Sequence, residues 1–179
     1  MIWPAGAGRG YRAALLFVAG ETFTDARDLF HACYDARRDL DGAAAATERM
    51  RVYEDLKAVR YDKPRITGGA PKGAGMTATD ARLDFEAAAA PRLDRDRRLI
   101  SACVEIIYGK DGGGLRKLAG WRGALVLALR YTEAAPWAAV ADVMDMSARR
   151  CQELAAAALD VLDAVGVAAA IEGRGAAEG

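Results

Sequence analysis

A Gly- and Pro-rich segment at residues 62–76 separates two stretches of the chain that have helical periodicity. It contains two prolines and four glycines in fifteen residues, a composition that disfavours any regular helix or strand. Before it, over about 24–61, apolar residues recur every three or four positions, which is typical of one long amphipathic helix. A similar pattern runs from about residue 77 to Tyr108. Two long helices joined in this way predict an antiparallel helical hairpin.

Each helix of the predicted hairpin carries an apolar stripe that can pack against the other. The stripe of the first helix includes Leu29 and Cys33, and that of the second includes Leu83 and Val104. Pro91 lies inside the second helix, where the missing backbone donor predicts a kink. The hairpin is expected to cover residues 22–110 and to act as a scaffold or a dimerisation arm.

The composition favours an all-α fold. Alanine, the best helix former and a poor strand former, accounts for 41 of the 179 residues. Lys and Arg total 25, as do Asp and Glu, so the net charge of zero argues against a globally basic nucleic-acid coat and against an acidic solvating tail. The chain has no run of about 18 apolar residues, so no membrane span or membrane partner is expected.

Nothing in the sequence predicts catalysis, a metal or a cofactor. The chain has no Ser/His/Asp set, no P-loop and no HExxH motif, and its single histidine, His31, has no second histidine with which to share a metal. The three cysteines are odd in number and far apart, which disfavours a disulfide framework or a zinc site and fits a reducing cytoplasm. We therefore expect a non-enzymatic cytoplasmic protein.

Residues 115–166 have the pattern of a helix-turn-helix domain. Ser147 is suited to cap a helix and Gly166 to end one. Trp121 and Trp137 are expected to be core anchors. The predicted elements, in chain order, are an apolar helix over 115–131, a short helix over 137–144 and a long helix over 148–165.

The start of the last helix is the candidate DNA-reading surface, because in a DNA-binding helix-turn-helix this end enters the major groove. Arginine there can bind guanine and glutamine can bind adenine. A solvated helix face is the alternative for these side chains, and the basic residues of the 62–76 loop either contact phosphate or keep the loop soluble. The candidate DNA-binding residues are Ala148, Arg149, Arg150, Gln152 and Glu153 in the helix, with Lys63, Arg65 and Lys72 in the loop.

Several short motifs mark this C-terminal segment, namely Leu129-Arg130-Tyr131, Trp137-Ala138-Ala139-Val140-Ala141, Met146-Ser147 and Ala158-Leu159. They resemble the C-terminal helix-turn-helix of the ArpU/RinA-like phage late-transcription regulators, which is similar in turn to region four (sigma-70 type) of sigma factors. The chain departs from that pattern at Asp145, where glycine is usual, although Asp tolerates a positive φ better than most residues.

The resemblance implies a sequence-specific, DNA-binding transcription regulator of phage or prophage type in the cytoplasm of a bacterial host cell. Its implied partners are double-stranded DNA, RNA polymerase and a second copy of the chain. Residues 115–166 contain six basic and six acidic residues, so the phosphate contribution of this domain alone is expected to be weak.

Net neutrality leaves a second hypothesis open. The chain is then a non-enzymatic helical protein-interaction or phage assembly module, in which the hairpin is the working surface. In either case, we expect residues 1–21 to be poorly ordered or loosely docked and residues 167–179 to form a flexible tail.

Overall fold

The computed structural model describes residues 16–58, 78–110 and 112–174. Within these ranges the chain is mostly helical, with a long helical hairpin followed by shorter helices, which confirms the predicted all-α class. No helix in these ranges combines the length and apolarity needed to cross a membrane. The elements are β1 (Leu16–Val18), β2 (Glu21–Phe23), α1 (Ala26–Ala58), α2 (Ala78–Tyr108), α3 (Gly114–Leu118), α4 (Gly120–Leu127), a π-helical turn (Ala128–Thr132), α5 (Trp137–Met144), α6 (Ala148–Val165) and α7 (Val167–Glu172).

A small β-hairpin precedes α1 and was not expected from the sequence. Its two-residue loop, Ala19 and Gly20, has φ values of 53° and 89°, as a tight hairpin turn requires. Residues 16–21 belong to the segment 1–21 that is predicted to be poorly ordered or loosely docked, but they form most of this β-hairpin. Residues 1–15 lie outside the described residues. Strands of three residues are too short to give a periodic signal. The buried side chains of this β-hairpin are Leu16, Val18 and Phe23.

α1 and α2 run antiparallel, and ion pairs join them at two levels. Arg82 Nε lies 3.0 Å from Glu54 Oε1. Arg92 Nε lies 3.7 Å from Asp39 Oδ2. Gly42 lies inside α1 and does not interrupt it, since α1 is a continuous helix of 33 residues.

The buried face of α2 differs from the predicted one. The sequence predicts that Leu83 and Val104 lie in the apolar stripe that packs on α1, but their side chains are 50% and 38% exposed. The true stripe includes an alanine and a carboxylate, which a search for large apolar residues passes over. Its members are Ala89, Asp96, Leu99, Cys103, Ile106 and Ile107.

Within the described residues of the helical hairpin, large buried side chains occur only at its base. The apolar core ends at Ala36 on α1 and begins at Leu99 on α2. Beyond these points, the buried apolar residues in the described parts of α1 and α2 are the small side chains of Ala43 and Ala89. The outer part of the hairpin, residues 43–56 and 78–90, is therefore an arm whose two helices meet along a seam of small residues.

The C-terminal half is more divided than predicted. The helix expected over 115–131 is split into α3, α4 and the π-helical turn, in which the Glu133 N–H donates to the Ala128 carbonyl at 3.1 Å. The segment 167–179, predicted to be a flexible tail, contains α7, whose Ala170 is buried in the core. Residues 175–179 lie outside the described residues.

Candidate nucleic-acid interface

α5 and α6 are joined by a tight turn centred on Asp145. This residue has φ 51° and ψ 49°, a left-handed conformation that Asp tolerates better than most side chains. The Met146 N–H donates to the Ala141 carbonyl at 3.1 Å, which satisfies a backbone group at the end of α5. The turn predicted from the sequence is thus compatible with Asp145 in place of glycine.

Ser147 caps α6, as predicted. Its Oγ accepts a hydrogen bond from the Arg150 backbone N–H at 3.2 Å, the usual way in which serine satisfies a free donor in the first helical turn. α6 then runs over Ala148–Val165, and Gly166 follows it. The observed boundaries agree with those expected from the sequence.

The inner side of α6 is held against α5 and against the turn before it. Trp137 is half-buried, and the Arg130 guanidinium lies 5.1 Å from its ring centroid. The same guanidinium lies 4.3 Å from the Tyr34 ring on α1, so Arg130 links the two halves of the molecule and is not free to bind another partner. The buried residues of the α5–α6 contact are Val140, Met144, Cys151 and Ala155.

The outer side of the first turn of α6 is open. The side chains of Arg149 and Arg150 are 89% and 60% exposed, Gln152 is exposed and Ala148 is half-buried. Arg149 Nε lies 3.3 Å from Glu153 Oε1, and Arg150 Nη1 lies 3.1 Å from Glu153 Oε2. The structure thus brings all five predicted helix residues to one end of α6. Glu153 offsets part of their positive charge through exposed ion pairs of little strength.

The three predicted loop residues, Lys63, Arg65 and Lys72, lie outside the described residues. Their role in DNA binding therefore remains a prediction. The basic surface that can be described lies elsewhere in the chain.

Charge in the C-terminal half is segregated along the chain, which the overall count of six basic and six acidic residues conceals. The stretch 112–132 contains four basic and no acidic residues, whereas 133–166 contains two basic and six acidic residues. Asp142 and Asp145, which precede α6, are exposed, as is Glu153 within it. The helix-turn-helix itself is therefore acidic, and the basic surface is on α3 and α4.

Asp160 and Asp163, the last two acidic residues of 133–166, contact the start of α1. Asp163 Oδ1 accepts a hydrogen bond from the Ala26 backbone N–H at 2.7 Å, and Asp160 Oδ1 lies 2.7 Å from Arg27 Nη2. Burial raises the pKa of the Asp163 carboxyl, while the hydrogen bond from Ala26 opposes that rise. Asp160 and Asp163 thus attach α6 to the hairpin, a role that the sequence pattern did not reveal.

Trp121 is not the core anchor that the sequence predicted. Its side chain is 57% exposed. Gly123 of α4 lies close to α6, because a Cβ placed on it would be 3.4 Å from the Ala158 Cβ. Trp121 is two positions earlier and so lies on another side of α4. An aromatic residue in an apolar segment does not by itself show which side of the helix is covered.

The side chains present give no sign of metal chemistry in the described ranges. No group of three or more His, Cys, Asp or Glu residues there is arranged to hold a metal ion, and Cys33, Cys103 and Cys151 are free and buried. Comparison of the chain with protein-family models, with characterised proteins and with solved structures found no match. Function must therefore be inferred from the geometry and charge of this chain itself.

Proposed function

We propose that the chain is a DNA-binding transcription regulator of phage or prophage type, which reads double-stranded DNA through the start of α6. The observation that carries this proposal is the capped first turn of α6, exposed on one side and packed on α5 on the other. A helix that enters the major groove needs this placement, since its base-reading side chains must project from a fixed backbone. Arg149 suits guanine and Gln152 suits adenine.

The acidic character of residues 133–166 means that α6 alone supplies little phosphate affinity. Further affinity would come from Lys63, Arg65 and Lys72, from a second copy of the chain or from RNA polymerase as a co-partner. We therefore expect weak binding of one chain to DNA at low salt, with a clear loss as salt rises.

The test is a salt-titrated gel shift on duplex DNA with the double variant Arg149→Ala plus Arg150→Ala. We expect at least a roughly tenfold loss of affinity and a salt slope lower by up to about 2, because up to two phosphate or base contacts disappear. The matched control is Arg38→Ala plus Arg98→Ala, exposed arginines on α1 and α2 that lie outside the α1–α2 groove, which should bind as the unaltered chain does. Equal affinity of the α6 variant and the unaltered chain would contradict the proposal.

A second candidate function, a helical interaction or assembly module, is favoured by the arm. A groove of about 480 Å³ follows the seam between α1 and α2, and the arm contains no large buried side chain. A pair of helices with so little buried apolar area is marginal by itself, which favours packing against another surface. The apolar lining of the groove includes Leu40, Ala43, Ala44, Phe85, Ala89, Ala90 and Leu93.

Light scattering after gel filtration tests association through this groove. If two copies pack there, the chain should elute at twice its 19.0 kDa mass. Ala90→Glu, inside the groove, should return it to a monomer because a buried unpaired carboxylate is costly. Ala87→Glu, on an exposed part of the same helix, should leave the dimer intact. A monomeric unaltered chain, or dimers in both variants, would exclude this mode of association.

Association alone does not separate the two functions, since a regulator also uses dimers to read paired half-sites. Binding to generic duplex DNA at low salt does separate them. The regulator should bind with a steep salt dependence, and the assembly module should show no such binding.

A further inference from the structure

A cleft on α2, α3 and α4 has no part in the functions proposed above. Trp121 and Tyr108 stand at its edge and are 57% and 39% exposed. The cleft has a volume of about 250 Å³, and Arg116, Ala124 and Leu125 complete its lining. We refer to these five residues as the Trp121 cleft.

α3 and α4, two of the helices that form the Trp121 cleft, carry cations that have no counter-ion among the described residues. Arg116, Lys117 and Arg122 are exposed, and none of them makes an ion pair in the part of the chain that the structure describes. Most exposed cations elsewhere are paired, as Lys110 is with Glu105 at 3.1 Å. The stretch 112–132 contains no acidic residue that could neutralise them.

We infer that the Trp121 cleft binds an acidic peptide segment of a partner protein that places one apolar side chain in the cleft. A volume of about 250 Å³ suits a single large side chain. Tryptophan, tyrosine and arginine are the residues that most often dominate protein–protein binding energy. Carboxylates beside the apolar anchor would neutralise the cations of α3 and α4, and this charge complementarity identifies the partner as acidic.

The geometry favours a peptide over nucleic acid. Single-stranded nucleic acid binds by stacking successive bases on open aromatic faces, but one face of Trp121 is already met by the Arg122 guanidinium, 5.2 Å from the ring centroid. Duplex DNA presents only phosphate and sugar along its backbone, and neither would fill an apolar cleft. The inference does not depend on DNA binding by α6, since a regulator and an assembly module could both use it.

The experiment measures binding of a synthetic fluorescent peptide of about ten residues with a central phenylalanine flanked by glutamates. The full chain is titrated into it, and anisotropy gives the dissociation constant. Arg116→Glu plus Arg122→Glu should weaken binding at least about tenfold, and Trp121→Ala should weaken it by a similar factor. Arg98→Glu is the matched control, because Arg98 is another exposed arginine without an ion pair, on α2. It should bind as the unaltered chain does.

Two further probes test the chemistry of the ligand. A peptide with glutamine in place of each glutamate should bind at least about tenfold more weakly, whereas equal binding would overturn the inference. Oligothymidylate should bind more weakly than the acidic peptide. If it binds more tightly, and Trp121→Ala abolishes that binding, the inference is overturned in favour of single-stranded nucleic acid. Absence of peptide binding up to about 1 mM would also overturn it. Circular dichroism verifies that each variant keeps its helix content.

Discussion

Asp96, on α2, lies in an environment that is unfavourable to its charge. It is 5% exposed, and its Oδ2 has no hydrogen-bond partner among the described residues. Burial is the main cause that raises the pKa of this carboxyl, and the nearby Asp39 and Glu21 carboxylates raise it further, while Arg95 and Arg92 oppose the rise. The folded chain therefore binds this proton more tightly than the unfolded chain does, and the protein loses stability as pH rises through the pKa of folded Asp96.

We expect Asp96→Asn to increase the free energy of unfolding at pH 7 by about 1 kcal/mol, because it removes an unpaired buried charge. The gain should shrink as pH falls below the pKa of folded Asp96, where the aspartate is itself neutral. Urea denaturation at a series of pH values measures both effects. Asp84→Asn, an exposed position on the same helix, should change little. A gain that does not depend on pH would contradict this account.

Residue chemistry alone was enough to predict the turn between α5 and α6. A serine that caps a helix and an aspartate that tolerates a positive φ identify themselves by type, and Ser147 and Asp145 behave as expected. Asp96 and Trp121 could not be placed in this way. A carboxylate is buried, or an indole exposed, only because of what other elements place beside it, and a periodic pattern along one helix does not contain that information.

At the scale of elements, the junction of α2 and α3 depends on glycine. Gly114 has φ 75°, and a Cβ on it would lie 2.5 Å from the Gly109 nitrogen and 2.6 Å from the Ile107 carbonyl oxygen. No side chain fits that space without moving the backbone. Gly42, inside α1, is the opposite case, because a Cβ there would have no neighbour within 4 Å.

This contrast gives a paired prediction for thermal unfolding. Gly114→Ala should destabilise the protein by about 2 kcal/mol or more, because it adds backbone strain and a steric overlap. Gly42→Ala should stabilise it by about 0.5–1 kcal/mol, because alanine loses less conformational entropy than glycine in a helix. A Gly114→Ala variant as stable as the unaltered chain would show that the junction is not as tight as described, and a loss of stability in Gly42→Ala would contradict the open surroundings of Gly42.

Elements with a strong apolar pattern were the ones that the sequence located well. α6 was predicted with its observed boundaries, since a cap, a stripe and a terminal glycine all agree. The segment 167–179 is predicted to be a flexible tail, but it contains α7. The buried residue of α7 is Ala170, and an alanine among alanines gives no apolar stripe. Its position depends on contacts with α2 and α3, which lie far away in the sequence.

At the scale of the whole molecule, the hairpin and the C-terminal helices share one apolar core. The sequence suggested separate units over 22–110 and 115–166, but Asp163 caps the start of α1 and Arg130 stacks between Tyr34 and Trp137. α6 is therefore fixed relative to the hairpin. If two copies associate through their arms, the separation of their two α6 helices is also fixed, and it would set the spacing of the DNA half-sites.

Selection from a library of randomised duplex DNA tests the central claim, that the start of α6 reads base sequence. The unaltered chain should enrich a common motif over successive rounds at low salt. The variant Arg149→Ala plus Arg150→Ala, verified to be folded, should lose that enrichment, while Arg38→Ala plus Arg98→Ala should retain it. The claim would be contradicted if the unaltered chain bound no duplex DNA, or if the α6 variant enriched the same motif.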